Sequence, residues 1–101
     1  MTVLPHSFTV GTIIPVEITY DPAKNAANIE RRGLSFDQVV ELDWSSAVII
    51  EDTRKTYAER RFRVFGYIGE RLYATVFTPR GTAVHVISFR KANSREVKRH
   101  G

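Results

Sequence analysis

The order of apolar patterns along the chain predicts an α+β protein with two early helices and a mostly antiparallel sheet. Residues 16–20 alternate apolar and polar side chains, as a strand does. Two helix-capping signals follow, at Asp21 and Ser35. From residue 47 onward, short apolar runs alternate with turn residues, which is typical of antiparallel hairpins. Helices segregated from such strands define the α+β class, and we expect both helices on one face of the sheet.

The first helix is predicted to begin at Asp21-Pro22 and to end at Gly33. Asp21 suits the N-cap because its carboxylate accepts hydrogen bonds from free backbone N–H groups. Pro22 suits the first helical position, where no hydrogen bond is lost. Gly33 suits a left-handed C-cap. The small apolar residues are expected to form the buried face: Ala23, Ala26, Ala27 and Ile29. The polar residues are expected to face water: Lys24, Asn28, Glu30 and Arg31.

A second helix is predicted to begin after Ser35, with Gln38 as its capping-box partner. Its expected apolar face consists of Phe36, Val39, Val40 and Leu42. Trp44 follows, and we expect it to anchor this helix to the sheet, because its large ring contributes much buried area.

Four further strands are predicted over residues 47–50, 61–68, 72–78 and 84–89, followed by a short C-terminal helix within residues 92–100. Turns are expected at Gly69-Glu70 and at Pro79-Arg80-Gly81. The two-residue period of strand 61–68 separates two faces. One face carries Phe62, Val64 and Ile68; the other carries Arg61, Arg63, Phe65 and Tyr67.

Length and composition limit the possible classes of protein. The 101 residues suffice for one domain, which we place at residues 17–101, with residues 1–16 as a flexible N-terminal lead. The absence of cysteine excludes disulfides and favours the reducing cytoplasm. No apolar run reaches the ~18 residues of a membrane span. No cluster of carboxylates and histidines has metal-ligand spacing, so neither a metal nor a cofactor is expected.

The net charge of +4 is unevenly distributed. Residues 1–53 carry a balance of −5, whereas residues 54–101 carry +9, and residues 90–101 alone carry +4. A concentrated basic half suggests a polyanionic partner such as nucleic acid. The alternative is a solvated basic surface without a nucleic-acid partner.

Four stretches of the sequence, in this order, resemble the BrnT family of type II toxin–antitoxin toxins. They are YDPAKN and RGLSF (residues 20–25 and 32–36), ERRF leading to a glycine (59–66), TPRG (78–81), and ISFRKAN followed by RE (87–96). The resemblance covers about residues 17–100. Two positions depart from the family pattern: Arg32 stands where a histidine is frequent, and His85 where an arginine is frequent.

The resemblance implies a RelE-like fold, ribonuclease activity and arrest of translation. It also implies a BrnA-type antitoxin with a ribbon-helix-helix part, assembled with the toxin as a heterotetramer. Operator DNA would then be contacted only through the antitoxin, and RNA would be the substrate.

RNA cleavage without a metal requires a base for the ribose 2′-OH, cations for the developing phosphorane charge, and release of the 5′-oxygen. The family's motif arginines correspond to Arg61, Arg80 and Arg90, and arginine suits phosphate because it stays charged and donates bidentately. With Glu59 they form the expected catalytic set. Glu59 is either the base or the salt-bridge partner of Arg61. We favour the partner, because an exposed glutamate has a pKa of roughly 4.

Arg63, His85 and Lys91 are expected to bind RNA. His85 is either a substitute cation, which we favour, or an acid–base group. Phe65 and Tyr67 either stack bases between the arginines or pack under the helices or against a partner. Two alternatives to a ribonuclease remain: a non-catalytic nucleic-acid-binding co-repressor, and an interaction domain with an incidental basic face.

Overall fold

A five-stranded sheet forms the centre of the structure, a computed structural model that describes residues 17–101. The elements are β1 (Glu17–Tyr20), α1 (Pro22–Arg32), a 3₁₀ helix (Phe36–Glu41), β2 (Val48–Glu51), β3 (Phe62–Ile68), β4 (Arg71–Arg80), β5 (Ala83–Lys91) and α2 (Ser94–His100). The strand order is β1-β5-β4-β3-β2, and only the β1–β5 pair is parallel. The predicted α+β class and mostly antiparallel sheet are confirmed. The predicted lead, residues 1–16, lies outside the described residues.

The main core lies between the sheet and the 3₁₀ helix. The strands contribute Phe62, Val64, Phe77, Val84, Val86 and Phe89, and the helical layer contributes Leu34, Phe36, Val39, Leu42 and Trp44. The Trp44 indole donates a hydrogen bond to the Val39 carbonyl at 3.0 Å, and its ring meets Phe77 edge to face. Trp44 therefore anchors the helical layer to the sheet, as predicted.

The capping signals form the predicted contacts, but the second helix differs in type. Ser35 and Gln38 form a complete capping box, yet the segment is a single short 3₁₀ helix. Val40 was predicted in its apolar face, and this prediction is wrong, because 51% of Val40 is exposed. The tighter 3₁₀ winding changes which side chains share a face, so a pattern drawn for 3.6 residues per turn fails here.

Helix α1 has the predicted ends but not the predicted buried face. Its alanines and Ile29 are exposed, whereas Asn28 is only 6% exposed. The Asn28 amide donates to the carbonyls of Leu34 and Phe89, each at 3.0 Å. Asn25 also accepts a hydrogen bond from the Phe36 backbone, at 2.7 Å. The helix is thus attached through polar side chains that satisfy buried backbone groups, which apolar periodicity does not reveal.

Helix α2 covers part of the opposite face of the sheet. A second cluster there contains Phe65, Leu72, Ala74 and Ala92, with Tyr67 packed against it. The His100 ring stacks on Phe65, with 4.2 Å between centroids. Phe65 and Tyr67 therefore belong to packing under a helix, the second of the two predicted alternatives. No helix within residues 17–101 has the length and apolarity needed to cross a membrane.

The β4–β5 connection is tighter than predicted. Pro79 and Arg80 were placed in a turn, but both lie in β4 and pair with Val84 and Ala83. Gly81, with φ of 62°, makes the turn. Arg80 is therefore held by strand pairing and not by a loop.

Candidate active site

Five of the predicted site residues lie on the sheet face away from the 3₁₀ helix, which we call the cationic face. On strands β3 to β5, Arg63, Arg80, His85 and Arg90 alternate with the core residues of the other face, and Arg61 directly precedes β3 on the same side. Strand register arranges their backbones in rows. His85 lies beside Thr78; Arg63 and Ser88 flank Val76; Arg90 and Phe65 flank Ala74. Successive rows are about 6.6 Å apart.

Glu59 binds Arg80 and not Arg61. Two hydrogen bonds join the Arg80 guanidinium to the Glu59 carboxylate, at 3.0 and 3.3 Å. The expected Glu59–Arg61 salt bridge is therefore corrected: Glu59 orients Arg80. Hydrogen bonding from Arg80 lowers the pKa of Glu59, despite some desolvation, and the charges of His85 and Arg61 lower it further. Glu59, Arg61, Arg80 and His85 thus lie together, in a cluster that we call the catalytic corner.

Arg61 is held by an aromatic ring and by the backbone. Its guanidinium carbon lies 4.2 Å from the centroid of the Tyr57 ring, a cation–π contact. The Tyr57 hydroxyl donates to the buried Asp52 carboxylate at 3.0 Å, and the Asp52 N–H donates to the Arg61 carbonyl at 2.8 Å. Asp52 also pairs with Arg54 at 2.8 Å, which lowers the pKa of Asp52 strongly. Asp52 and Tyr57 thereby position Arg61.

Asp52 and Tyr57 were missed by the sequence analysis, which assigned no role to the segment between the strands predicted at 47–50 and 61–68. The signal available was a clustering of Asp, Arg and Tyr just before a strand. Such residues suit a loop ordered by its own side-chain hydrogen bonds, but their partners cannot be assigned from spacing alone.

His85 is half-buried, and its surroundings favour the neutral form of the ring. Its Nδ1 shares a hydrogen bond of 2.8 Å with the Thr19 hydroxyl, because Thr19 and His85 are neighbours in the β1–β5 pair. Burial lowers the pKa of His85 below its usual 6.5, and the charge of Arg80 lowers it further, against the opposing effect of Glu59. A ring whose lowered pKa favours the neutral form suits the role of a substitute cation less well. It does fit the role of a proton acceptor.

A small cavity of about 100 Å³ adjoins the catalytic corner, and Arg54, Arg63, Arg90 and Glu96 line it. Arg90 donates two hydrogen bonds to Glu96, at 2.7 and 2.8 Å, and these bonds lower the pKa of Glu96 to about 2. The Arg63 Nε is buried there without a hydrogen-bond partner among residues 17–101. A buried charged donor without an acceptor is costly, so this N–H suits an anionic ligand.

Lys91 is not brought to the cationic face. It lies in register with Tyr73, whose ring stacks on Phe89 of the main core, so its backbone position belongs to the other face of the sheet. The predicted set therefore divides into the catalytic corner, the Arg63–Arg90 cavity and the separate Lys91. Within residues 17–101, no three His, Asp or Glu side chains come together in a way that could hold a metal ion.

Comparison with known proteins assigns the family. A family model described as the BrnT ribonuclease toxin of type II toxin–antitoxin systems matches residues 20–96. The chain belongs to this family of toxins, whose members pair with an antitoxin protein. No curated protein sequence matches the chain. The matched region contains the catalytic corner and both residues of the Arg90–Glu96 ion pair.

Proposed function

We propose that the chain is a metal-independent endoribonuclease that cleaves RNA at the catalytic corner. The observation that carries this proposal is the convergence of two arginines, a half-buried histidine and an arginine-orienting glutamate on one open face. These groups supply each element of phosphodiester cleavage that uses the ribose 2′-OH as the nucleophile.

His85 is the proposed base. Its neutral ring takes the proton of the 2′-OH as the 2′-oxygen attacks phosphorus. The new O2′–P bond forms while the P–O5′ bond breaks, which leaves a 2′,3′-cyclic phosphate and a 5′-hydroxyl end. The leaving 5′-oxygen takes a proton from water or from the imidazolium. Glu59 is the weaker candidate for the base, because Arg80 holds its pKa below the usual range.

Arg61 and Arg80 are the proposed phosphate-binding groups of the transition state. Each is oriented before RNA binds, Arg80 by the Glu59 carboxylate and Arg61 by the Tyr57 ring. Preoriented charges stabilise the transition state without reorganisation at the moment of reaction.

The Arg63–Arg90 cavity is the proposed site for the next phosphate of the strand. It lies about one row, some 6.6 Å, from the corner along the sheet, a distance that an extended strand can span between phosphates. The buried Nε of Arg63 would gain its missing acceptor there. Lys91 has no part in this arrangement.

The proposed partner is a BrnA-type antitoxin with a ribbon-helix-helix part, which would form a heterotetramer and carry all contact with operator DNA. The proposed setting is the cytoplasm, where RNA cleavage would arrest translation on a RelE-like framework. An antitoxin that neutralises the toxin is expected to cover the catalytic corner, and complementary negative charge would speed its capture of the toxin.

The proposed activity is tested with purified protein and single-stranded RNA in the presence of EDTA. We expect cleavage that leaves cyclic phosphate ends and no cleavage of RNA with 2′-O-methyl ribose, because that RNA lacks the nucleophile. Arg61→Ala and Arg80→Ala should each lower the rate by roughly ten- to a thousandfold. Arg71→Ala is the matched control, because Arg71 is an exposed strand arginine outside the corner.

Activity lost in EDTA and restored by a divalent ion would overturn metal independence. RNA binding without cleavage by the folded wild-type protein would favour the co-repressor. Equal rates for the corner variants and the Arg71 control would show that the site is misplaced.

A further inference from the structure

A second cationic surface lies outside the catalytic corner, in a cleft of about 340 Å³ between α1 and β5. Strand β1 pairs only with residues Ala83–Val86 of β5. Among residues 17–101, helix α1 and not a strand therefore lies beside residues 87–90 of β5. We call this space the helix cleft. Its basic lining residues are Lys24, Arg31, Arg32 and Arg90.

Three of the four cations that line the helix cleft are not neutralised by an ion pair within residues 17–101. Lys24, Arg31 and Arg32 take part in none of the ion pairs within residues 17–101, in contrast to Arg80 and Arg90. None of the described residues that line the cleft is acidic. Residues 1–16 contain no Asp or Glu, so they bring no side-chain carboxylate to it. The cleft is therefore suited to an anion.

The helix cleft continues the catalytic corner. Lys24 is the cleft cation on the side of His85, and its charge adds a small lowering to the pKa of that ring. At the other end, Arg90 and Ser88 line both the cleft and the Arg63–Arg90 cavity. A single polyanionic strand can therefore contact the corner and the cleft together.

Protein strand addition fits this edge less well. The Phe89 carbonyl faces α1 and already accepts a hydrogen bond from the Asn28 amide. A peptide strand that paired with β5 at this point would have to displace Asn28, which is itself buried. A nucleic-acid backbone needs cations and not a free strand edge.

We propose that the helix cleft binds the phosphates of the RNA strand that flank the cleavage site, and that Lys24, Arg31 and Arg32 make these contacts. This inference rests on the proposed ribonuclease function for its choice of ligand. The cleft sets how much RNA the protein holds beyond the scissile phosphate. It acts on substrate affinity and not on the chemical step.

The test compares Arg31→Gln/Arg32→Gln with Arg71→Gln/Lys98→Gln, which removes the same charge from surface outside the cleft. Binding is measured by fluorescence anisotropy with 2′-O-methyl RNA of about four and about twelve nucleotides, lengths at the lower end and within the range of common single-strand site sizes. For the longer RNA, the cleft variant should bind about tenfold more weakly. Its slope of log affinity against log salt should be shallower by about 1.4, because about two phosphate contacts are lost.

The short RNA, held at the corner, should bind both variants equally, and cleavage of the longer unmodified RNA should show a raised KM with unchanged kcat. Equal losses in the two double variants would overturn the proposal, as would unchanged RNA binding with weakened antitoxin binding. A wild-type protein that binds but does not cleave RNA would refute the ribonuclease activity alone, because the binding comparison needs no cleavage.

Discussion

Glu96→Gln should lower stability and raise RNA affinity at the same time. Glutamine retains the capping box of α2 but removes the carboxylate that holds Arg90. The pKa of Glu96 falls from 4.5 to about 2 in the folded protein, which corresponds to about 3 kcal/mol at most. We reduce this to about 1–2 kcal/mol, because the Arg90 side chain is 37% exposed and solvent weakens the pair. The melting temperature should fall by about 4–8 °C per kcal/mol.

The pH dependence gives an internal check on this prediction. Because its pKa is lower in the folded state, ionised Glu96 stabilises the protein above about pH 4.5, and this contribution is lost as the pH falls towards about 2. Urea unfolding of wild type and variant should therefore differ most at pH 7, differ by less than half as much near pH 3, and converge below about pH 2. Glu70→Gln, in the exposed β3–β4 turn, is the control.

RNA affinity supplies the opposite readout. A freed Arg90 can make one further phosphate contact, so 2′-O-methyl RNA should bind a few-fold more tightly, with a slope of log affinity against log salt steeper by about 0.7. If Glu96→Gln is destabilised but binds RNA no better than wild type, then Glu96 does not compete with RNA for Arg90. If the variant is as stable as wild type at pH 7, the ion-pair argument itself fails.

Three further substitutions test other contacts. His85→Gln should lower cleavage at pH 7 by about a hundredfold or more, with unchanged affinity for 2′-O-methyl RNA; wild-type rates should rise with pH through a pKa below 6.5. Equal rates in the variant would exclude His85 as the base. Tyr57→Leu should lower kcat about tenfold by releasing Arg61, whereas Tyr57→Phe retains the ring and should lose less; equal losses would point to the hydroxyl instead. Asn28→Ala should cost about 2–4 kcal/mol in urea unfolding, because two buried carbonyls lose their donor, and a loss below 0.5 kcal/mol, on the order of a surface substitution, would contradict this.

The strands and helix ends could be predicted because local chemistry determines them. The two faces of strand β3 follow the two-residue period, and the caps at Asp21, Ser35 and Gly33 depend on neighbouring residues only. The buried face of α1 could not be predicted in the same way. Its attachment depends on Asn28 reaching the Phe89 carbonyl, 61 residues further along the chain. No local pattern specifies a donor for a distant backbone acceptor.

In the candidate site too, features set by local sequence could be predicted and features set by distant contacts could not. The motif resemblance selected Arg61, Arg80 and Arg90, and period-two alternation placed Arg61 and Arg63 on one side of their strand. The ion-pair partners could not be predicted from the sequence, because Glu59 lies two residues from Arg61 but bonds to Arg80, which is 21 residues away. The charge state of His85 was also hidden, since burial and the nearby Arg80 determine its pKa.

Because some arginines are bound to carboxylates and others are not, different residues are expected to attract RNA and to act in its cleavage. Arg80 and Arg90 are each bound to a carboxylate, and Arg61 is stacked on a ring, so their geometry is set before substrate arrives. An arginine already paired with a carboxylate attracts a distant polyanion weakly, because the two charges cancel beyond a few ångströms. Long-range attraction must then come from cations without such partners, which in residues 17–101 include Lys24, Arg31 and Arg32 of the helix cleft. Removing helix-cleft charge should therefore slow association with RNA and make that association less dependent on salt, whereas removing Arg80 should act on the chemical step.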